Sequence, residues 1–392
     1  NGLLPVGDIT VNQAVTRRDP SDNTDKVLTS ATASGTITRE TEAPVAQDTV
    51  VEVWDEKTKT WNAVPKSTDA SGLVTHTFYA GDKLRFTTKF TDNSSKIANT
   101  VVRQGSNTAS ATDNVLHSTW GTAAPNNITT VTPATATSPA TVVQEGTIRA
   151  DLQHTEGQHV TRAIVAEDVV GNRSEGSRFR LKQGKLAEKY PGVDPTTKFV
   201  VADAANLTPE EKAQVLAAIK AANPQTDRKI TNYTQNENGS VTITYADGTT
   251  NTVQPNVKYG VEKVSDRFYA ISDETLADLD LRKFVRGVGN KALPDNTQVT
   301  WKTGSEPTFD TLGERTATLL VTHPDGTTDE IPYNYTIYPK VETHTNNGLT
   351  GEFEINKGWN HMGGHTQVYT NLNDPAFPSG TNWSYRYNTE QG

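Results

Sequence analysis

The phrase SVTITYADGTTNTVQ, residues 240–254, returns as TLLVTHPDGTTDEIP at residues 318–332. Thr244, Asp247, Gly248, Thr249 and Thr250 are matched by Thr322, Asp325, Gly326, Thr327 and Thr328. In the first copy Val241, Ile243 and Tyr245 alternate with Thr242 and Thr244, the period of a strand with one packed and one wet face. Asp-Gly then supplies residues that tolerate positive φ, which predicts a tight type I′ hairpin in each copy. A chain that writes one strand-turn-strand phrase twice, about a small domain apart, is built from like modules in tandem.

The remaining sequence fits that reading. SGTIT (34–38), DTVVEVWD (48–55), GLVTHTFY (72–79) and KLRFTTKF (83–90) are short alternating segments cut by turn residues, the signature of a β-sandwich over residues 1–105. A Thr/Ala/Ser/Pro-rich stretch over 105–141 precedes further strands, TVVQEGTIRADL (141–152) and HVTRAIVAEDVVGNRS (159–174). Residues 106–190 therefore form either a second sandwich or the completion of the first. Residues 191–258 read as a small α+β module of the β-grasp kind. Its helix spans 208–222, with Thr208 as N-cap, Pro209 in the first turn, Glu211 closing a capping box and Asn223-Pro224 as the stop. Residues 259–340 hold the second hairpin with a turn of helix near 279–285, and 341–392 open a further β module.

The net charge of −9 over 392 residues disfavours a general grip on nucleic acid or anionic lipid. One segment departs from that balance. In RSEGSRFRLKQGKLAEK (173–189), Arg173, Arg178, Arg180, Lys182, Lys185 and Lys189 outnumber Glu175 and Glu188, reading as a solvated strand end or a site for an anionic polymer such as heparin or teichoic acid. The chain has no cysteine, so disulfides and thiolate zinc sites are excluded, and no run is apolar enough to span a membrane. No phosphate loop or nucleophile elbow occurs. His361 and His365 have the spacing of a helical zinc pair, but Met362 stands where a general base belongs and glycines disfavour the helix. Asp168 with Asn172, and Asp92 with Asn93, could lend oxygens to calcium, though two ligands per loop are few and such residues also cap turns. No other cofactor is expected. Trp359, together with Trp383, Tyr385 and Tyr387 alternating on one strand face, offers either packing or an aromatic platform for a sugar.

The second copy carries a more specific likeness. Leu293, Pro294, Thr297, Trp301 and Lys302, followed by Val321, Thr322, Pro324, Asp325 and Gly326, resemble the Rib-type (YPDG) repeats of Gram-positive cell-wall surface proteins, with His323 where the family has Tyr. LTPEEKAQVLAAIKAANP with ITYADGTT is similar to modules of the giant staphylococcal extracellular-matrix-binding protein, and Ala166, Asp168, Gly171 and Asn172 resemble the closing phrase of bacterial immunoglobulin-like repeats. The resemblance implies a mainly β, elongated tandem array of immunoglobulin-like sandwiches and small β-grasp or Rib-like modules. It implies a non-catalytic adhesin or stalk, extracellular and held to the cell wall through regions outside residues 1–392. The expected partner is a host matrix protein, a glycan or a neighbouring cell, met by a monomeric string of domains with no nucleic acid and no membrane insertion. The alternative is a lectin-like module working through the C-terminal aromatics or the sandwich loops.

Overall fold

A computed structural model describes residues 7–93, 97–104, 111–112, 115–117, 119–121, 139–174, 176–226, 228–346, 349–355, 361 and 368–370. The chain is mainly β, in several separate sheets. Contacts divide it into two compact units. The first comprises Asn1–Pro191, Arg228–Thr231 and Thr244–Thr250, and the second Gly192–Asp227, Asn232–Ile243 and Asn251–Gly392.

The first unit opens with a hairpin, β1 (Gly7–Arg18) and β2 (Asp25–Ile37), whose strands pair only with each other. Its side chains are almost all exposed, and polar cross-strand bonds such as Thr36 Oγ1 to Asp8 Oδ1 (2.7 Å) stand in for a core. The sandwich begins after it, with β3 (Val45–Ala46), β4 (Val50–Asp55), β5 (Thr60–Ala63), β6 (Lys66–Thr68), β7 (Val74–Phe78), β8 (Lys83–Thr91), β9 (Ile97–Gln104) and β10 (Ala111–Thr112). β11 (Ala140–Thr147), β12 (His159–Asp168) and β13 (Ser177–Gln183) complete it.

One sheet runs β10-β9-β12-β13-β7-β6 and the other β11-β8-β4-β5, with β3 also on β8. β11 pairs with β8 and β12 with β9, so strands from both sides of the Thr/Ala-rich stretch share the same sheets. Burial alternates strictly along β8, where Leu84, Phe86 and Phe90 point inward. Phe86 of one sheet stacks on Phe179 of the other at 6.0 Å between ring centroids, and Phe78 meets Trp120 at 5.0 Å. Each such fully buried side chain contributes about 1.5–3 kcal/mol. A short helix, α1 (Leu186–Lys189), follows β13. Residues Thr244–Thr250 pack beside it, where Leu186 N donates to Asp247 Oδ2 (2.8 Å) and His154 N to Asp247 O (2.9 Å).

In the second unit β14 (Phe199–Val201) lies parallel to β18 (Val257–Tyr259), with α2 (Pro209–Ala222) between them in sequence. The Thr208 hydroxyl accepts from Glu211 N (3.2 Å) while the Glu211 carboxylate accepts from Thr208 N (2.9 Å), a complete capping box. β15 (Ile230–Gln235), β16 (Val241–Tyr245) and β17 (Thr250–Val253) form a three-stranded sheet, of which Ile230–Thr231, Thr244–Tyr245 and Thr250 belong to the first unit, and Tyr233 and Gln235 reach carbonyls of Asn223 and Lys212. β19 (Val261–Lys263) pairs with β21 (Val285–Gly287). β20 (Arg267–Ile271), β24 (Thr328–Tyr338), β23 (Gly313–Thr322) and β22 (Gln298–Trp301) make a four-stranded sheet in that order. An aromatic core of Phe268, Phe284, Tyr333 and Tyr335 lies on it, with Trp301 at its margin. Two single 3₁₀ turns, Leu276–Asp278 and Leu281–Lys283, stand where a turn of helix is expected. β25 (Val341–Asn346), β26 (Leu349–Ile355) and β27 (Val368–Thr370) form the last sheet.

The repeated turns are alike, but they are not type I′. Only Gly248 (φ 81°) and Gly326 (φ 83°) have positive φ; neither Asp247 nor Asp325 does. In each, the glycine N–H returns to the carbonyl of Tyr245 or His323, two residues before the aspartate, and the N–H of that residue donates to the Thr249 or Thr327 carbonyl. This is a type I turn closed by a glycine bulge. In the second copy Pro324 has no N–H to donate across a two-residue hairpin, and in both copies the aspartate accepts from the threonine two residues on (Asp247 Oδ1 from Thr249 N, 3.0 Å; Asp325 Oδ1 from Thr327 N, 2.9 Å).

Candidate ligand-binding site

Strand β12 sits between β9 and β13, and its run from Arg162 to Ala166 is buried without a break. Four of these five residues are apolar, as befits a central strand. Arg162 is not, and it is only 5 % exposed. Its Nε donates to Val115 O at 2.9 Å and one Nη to Thr161 O at 3.1 Å, and Val115 N is in turn held by Gln144 Oε1 at 2.9 Å. Among the described residues Arg162 forms no ion pair. Burial pulls the guanidinium below its ordinary pKa. A guanidinium has five N–H donors in a planar fork, and main-chain carbonyls neutralise none of its charge. A desolvated guanidinium without a counter-ion is suited to receive a carboxylate. The residue-level signal was a charged side chain inside an apolar strand, which periodicity alone does not separate from an outward arginine.

The neighbouring charges are arranged differently. Arg85 on β8 lies in register with Glu52 on one side and Glu145 on the other, and bonds Glu52 at 2.8 Å. Lys83 and Arg85 also lie over the Trp54–Trp61 pair, with Arg85 4.4 Å from the Trp61 centroid. This outer face is satisfied internally.

Asp168 and Asn172 close the turn after β12. Asp168 Oδ1 accepts from the N–H groups of Val170, Gly171 and Asn172 at 2.7–2.9 Å, and Oδ2 from the Asn172 amide at 2.8 Å. Burial alone would raise this carboxyl, but hydrogen bonds with Glu40, Asn172 and Val170 bring it down to about 2. The Asn172 amide nitrogen also donates to Glu40, so the pair presents donors already in use rather than a shell of free oxygens. Asn93 likewise donates to Glu40 and Glu42. No group of three or more metal-ligating side chains occurs among the described residues. His361 is held by Glu274 at 2.6 Å, whereas His365 lies outside the described residues. Trp359, Trp383, Tyr385 and Tyr387 also lie outside them. No described helix is long and apolar enough to cross a membrane.

Comparison with known proteins places two of these modules. Residues 191–258 match the atypical Rib domain and residues 276–339 the Rib domain. The chain is 31% identical over 187 residues to a streptococcal hemagglutinin of Streptococcus gordonii, a match covering 45% of this chain and 8% of that protein. Among solved structures it is similar to the SrpA adhesin of Streptococcus sanguinis, at 27% identity over 57% of this chain and 97% of that one, with a TM-score of 0.40. It is also similar to the sialic acid binding region of a Streptococcus sanguinis SK1 adhesin bound to 3'sLn, at 18% identity over 86% of this chain and 95% of that one, with a TM-score of 0.41. These relatives are streptococcal adhesins.

Proposed function

We propose that the chain is a ligand-binding piece of a Gram-positive surface adhesin, in which the sandwich recognises a carboxylated host glycan and the Rib-type modules space or present it. The observation that carries this reading is Arg162, a buried guanidinium bonded only to main-chain carbonyls among the described residues. A sialic acid carboxylate would supply the missing counter-charge in a site where water competes poorly. The relation to a streptococcal hemagglutinin supports a role in cell-surface attachment, and the Rib-type matches support an extracellular location. The role is non-catalytic. A tie to the staphylococcal matrix-binding protein rests on the LTPEEKAQVLAAIKAANP and ITYADGTT phrases alone.

The test compares sialyl-lactosamine with its desialylated form by calorimetry. The full chain binds the first and not the second, and Arg162→Gln, which keeps two donors but no charge, loses at least about tenfold in affinity with its thermal transition preserved. Equal binding of both sugars, or undiminished binding by Arg162→Gln, would end this reading. A lectin surface at Trp359, Trp383, Tyr385 and Tyr387 is the alternative, and it predicts that Trp383→Ala removes sugar binding while Arg162→Gln does not.

A further inference from the structure

The basic segment after β12 becomes, in the fold, a row. Along β13, Phe179, Leu181 and Gln183 are buried, and Arg178, Arg180 and Lys182 alternate with them on the outward face. Alternate residues of a strand stand about 6.8 Å apart, so the three cations span about 13–14 Å. Their cross-strand neighbours carry no acid. Arg180 lies in register with Thr161 of β12 and Thr75 of β7, Lys182 with His159 and Thr77, and Arg178 with Ala163.

Sheets ordinarily place opposite charges across from each other, and the second sheet of this same sandwich does so, with Arg85 between Glu52 and Glu145. Here the arrangement is absent. Arg178 and Lys182 form no ion pair among the described residues, and Asp69 approaches Arg180 only to 3.9 Å. That aspartate is already committed to Ser71 and Leu73 within its own turn. Arg178 and Lys182, without ion pairs among the described residues, flank Arg180 and, in a chain of net charge −9, form a local field for a polyanion. The cross-strand neighbours of the row are threonines, Ala163 and the exposed His159, which points to a ligand recognised by its charge and hydroxyl groups.

We propose that the outward face of β12 and β13, centred on Arg178, Arg180 and Lys182, binds a linear sulfated polysaccharide of the glycosaminoglycan type. The sulfates sit over the cationic row and the sugar hydroxyls meet the half-buried Thr161 and Thr77. This site is separate from the inward-facing Arg162.

The probe is a heparin oligosaccharide of defined length, titrated into the full chain at several salt concentrations. Arg178→Gln/Lys182→Gln changes two exposed side chains and leaves the core untouched. It should lower heparin affinity by about tenfold or more, and make the fall of log K with log salt shallower by about one unit per cation removed. Binding of sialyl-lactosamine should stay unchanged in this variant, and heparin binding should survive Arg162→Gln, so the two sites can fail independently. Unaltered heparin binding by the double variant, absence of binding by the parent chain at low salt, or equal affinity for desulfated heparin or for polyphosphate of matched length would each overturn the proposal.

Discussion

The two Asp-Gly-Thr-Thr hairpins share a backbone and differ in surroundings. In the first, Asp247 is 2 % exposed, and its second carboxylate oxygen holds Leu186 N of the sandwich unit while its carbonyl accepts His154 N. In the second, Asp325 is exposed and, among the described residues, bonds within its turn, to Thr327 N and Oγ1. The residue before the turn also differs. His323 is buried, stacks on Tyr259 at 5.4 Å and pairs with Asp329 at 2.7 Å, whereas Tyr245 occupies the matching place in the first copy. One turn motif is thus embedded in its unit in one copy and a plain exposed reversal in the other. The motif fixes the path of the chain, and its neighbours decide what it holds.

Acid should separate the two hairpins most. His76 lies in the sandwich core beside Phe179, 4 % exposed, and burial lowers its pKa from 6.5 to about 4. The unfolded chain therefore takes up this proton first. The stabilisation is complete above pH 6.5 and declines as pH falls toward about 4, a loss of about 2–3 kcal/mol confined to the first unit. Hydrogen exchange at pH 7 and pH 4.5, corrected for intrinsic rates, should show amides of the first hairpin losing protection while those around Asp325 keep theirs. His76→Phe should remove that difference. A uniform loss across both would mean that the hairpins do not belong to separately stable units.

Removing the aspartate comes next. Asp247→Ala leaves Leu186 N, on a fully buried residue, without its acceptor and costs about 2 kcal/mol, while Asp325→Ala exposes its orphan N–H to water and costs under about 1 kcal/mol. Calorimetric transitions of the two variants measure the contrast, and equal shifts would refute it. The smallest expected difference is at the glycines. Both have positive φ, so alanine at either costs about 1–2 kcal/mol in strain. A Cβ at Gly248 would also stand 2.4 Å from Gln153 Oε1, whereas at Gly326 nothing lies within 4 Å. Gln153 can swing aside only by giving up its bonds to Asp151 O and Ala246 O, so Gly248→Ala should exceed Gly326→Ala by about 1 kcal/mol. Urea midpoints with unchanged slopes check this.

Local signals were legible where the contacts that matter lie a few residues apart. The cap at Thr208 and Glu211 involves four consecutive positions, and alternation along β8 displays its own buried face. Asp-Gly alone does not define the turn type: the residue before it takes part in the turn, and in the second copy Pro324 has no N–H for a two-residue hairpin. Arg162 escaped notice because an arginine in a strand is ordinary until its surroundings are known. The basic segment was visible as composition, but which of its cations face outward together depended on strand register.

The sequence by itself determined tandem β modules, a chain without cysteine chemistry, the repeated turn and the helix cap, since each follows from short-range sterics or from residue counts. Only the tertiary structure decided that β8 meets β11 and β9 meets β12 across the intervening stretch, that Arg162 lies buried without an acid among the described residues, and that one Asp-Gly turn is embedded while its twin is bare. Those outcomes depend on partners far away along the chain, and charge or burial acquires a meaning only when the groups across the gap are in place.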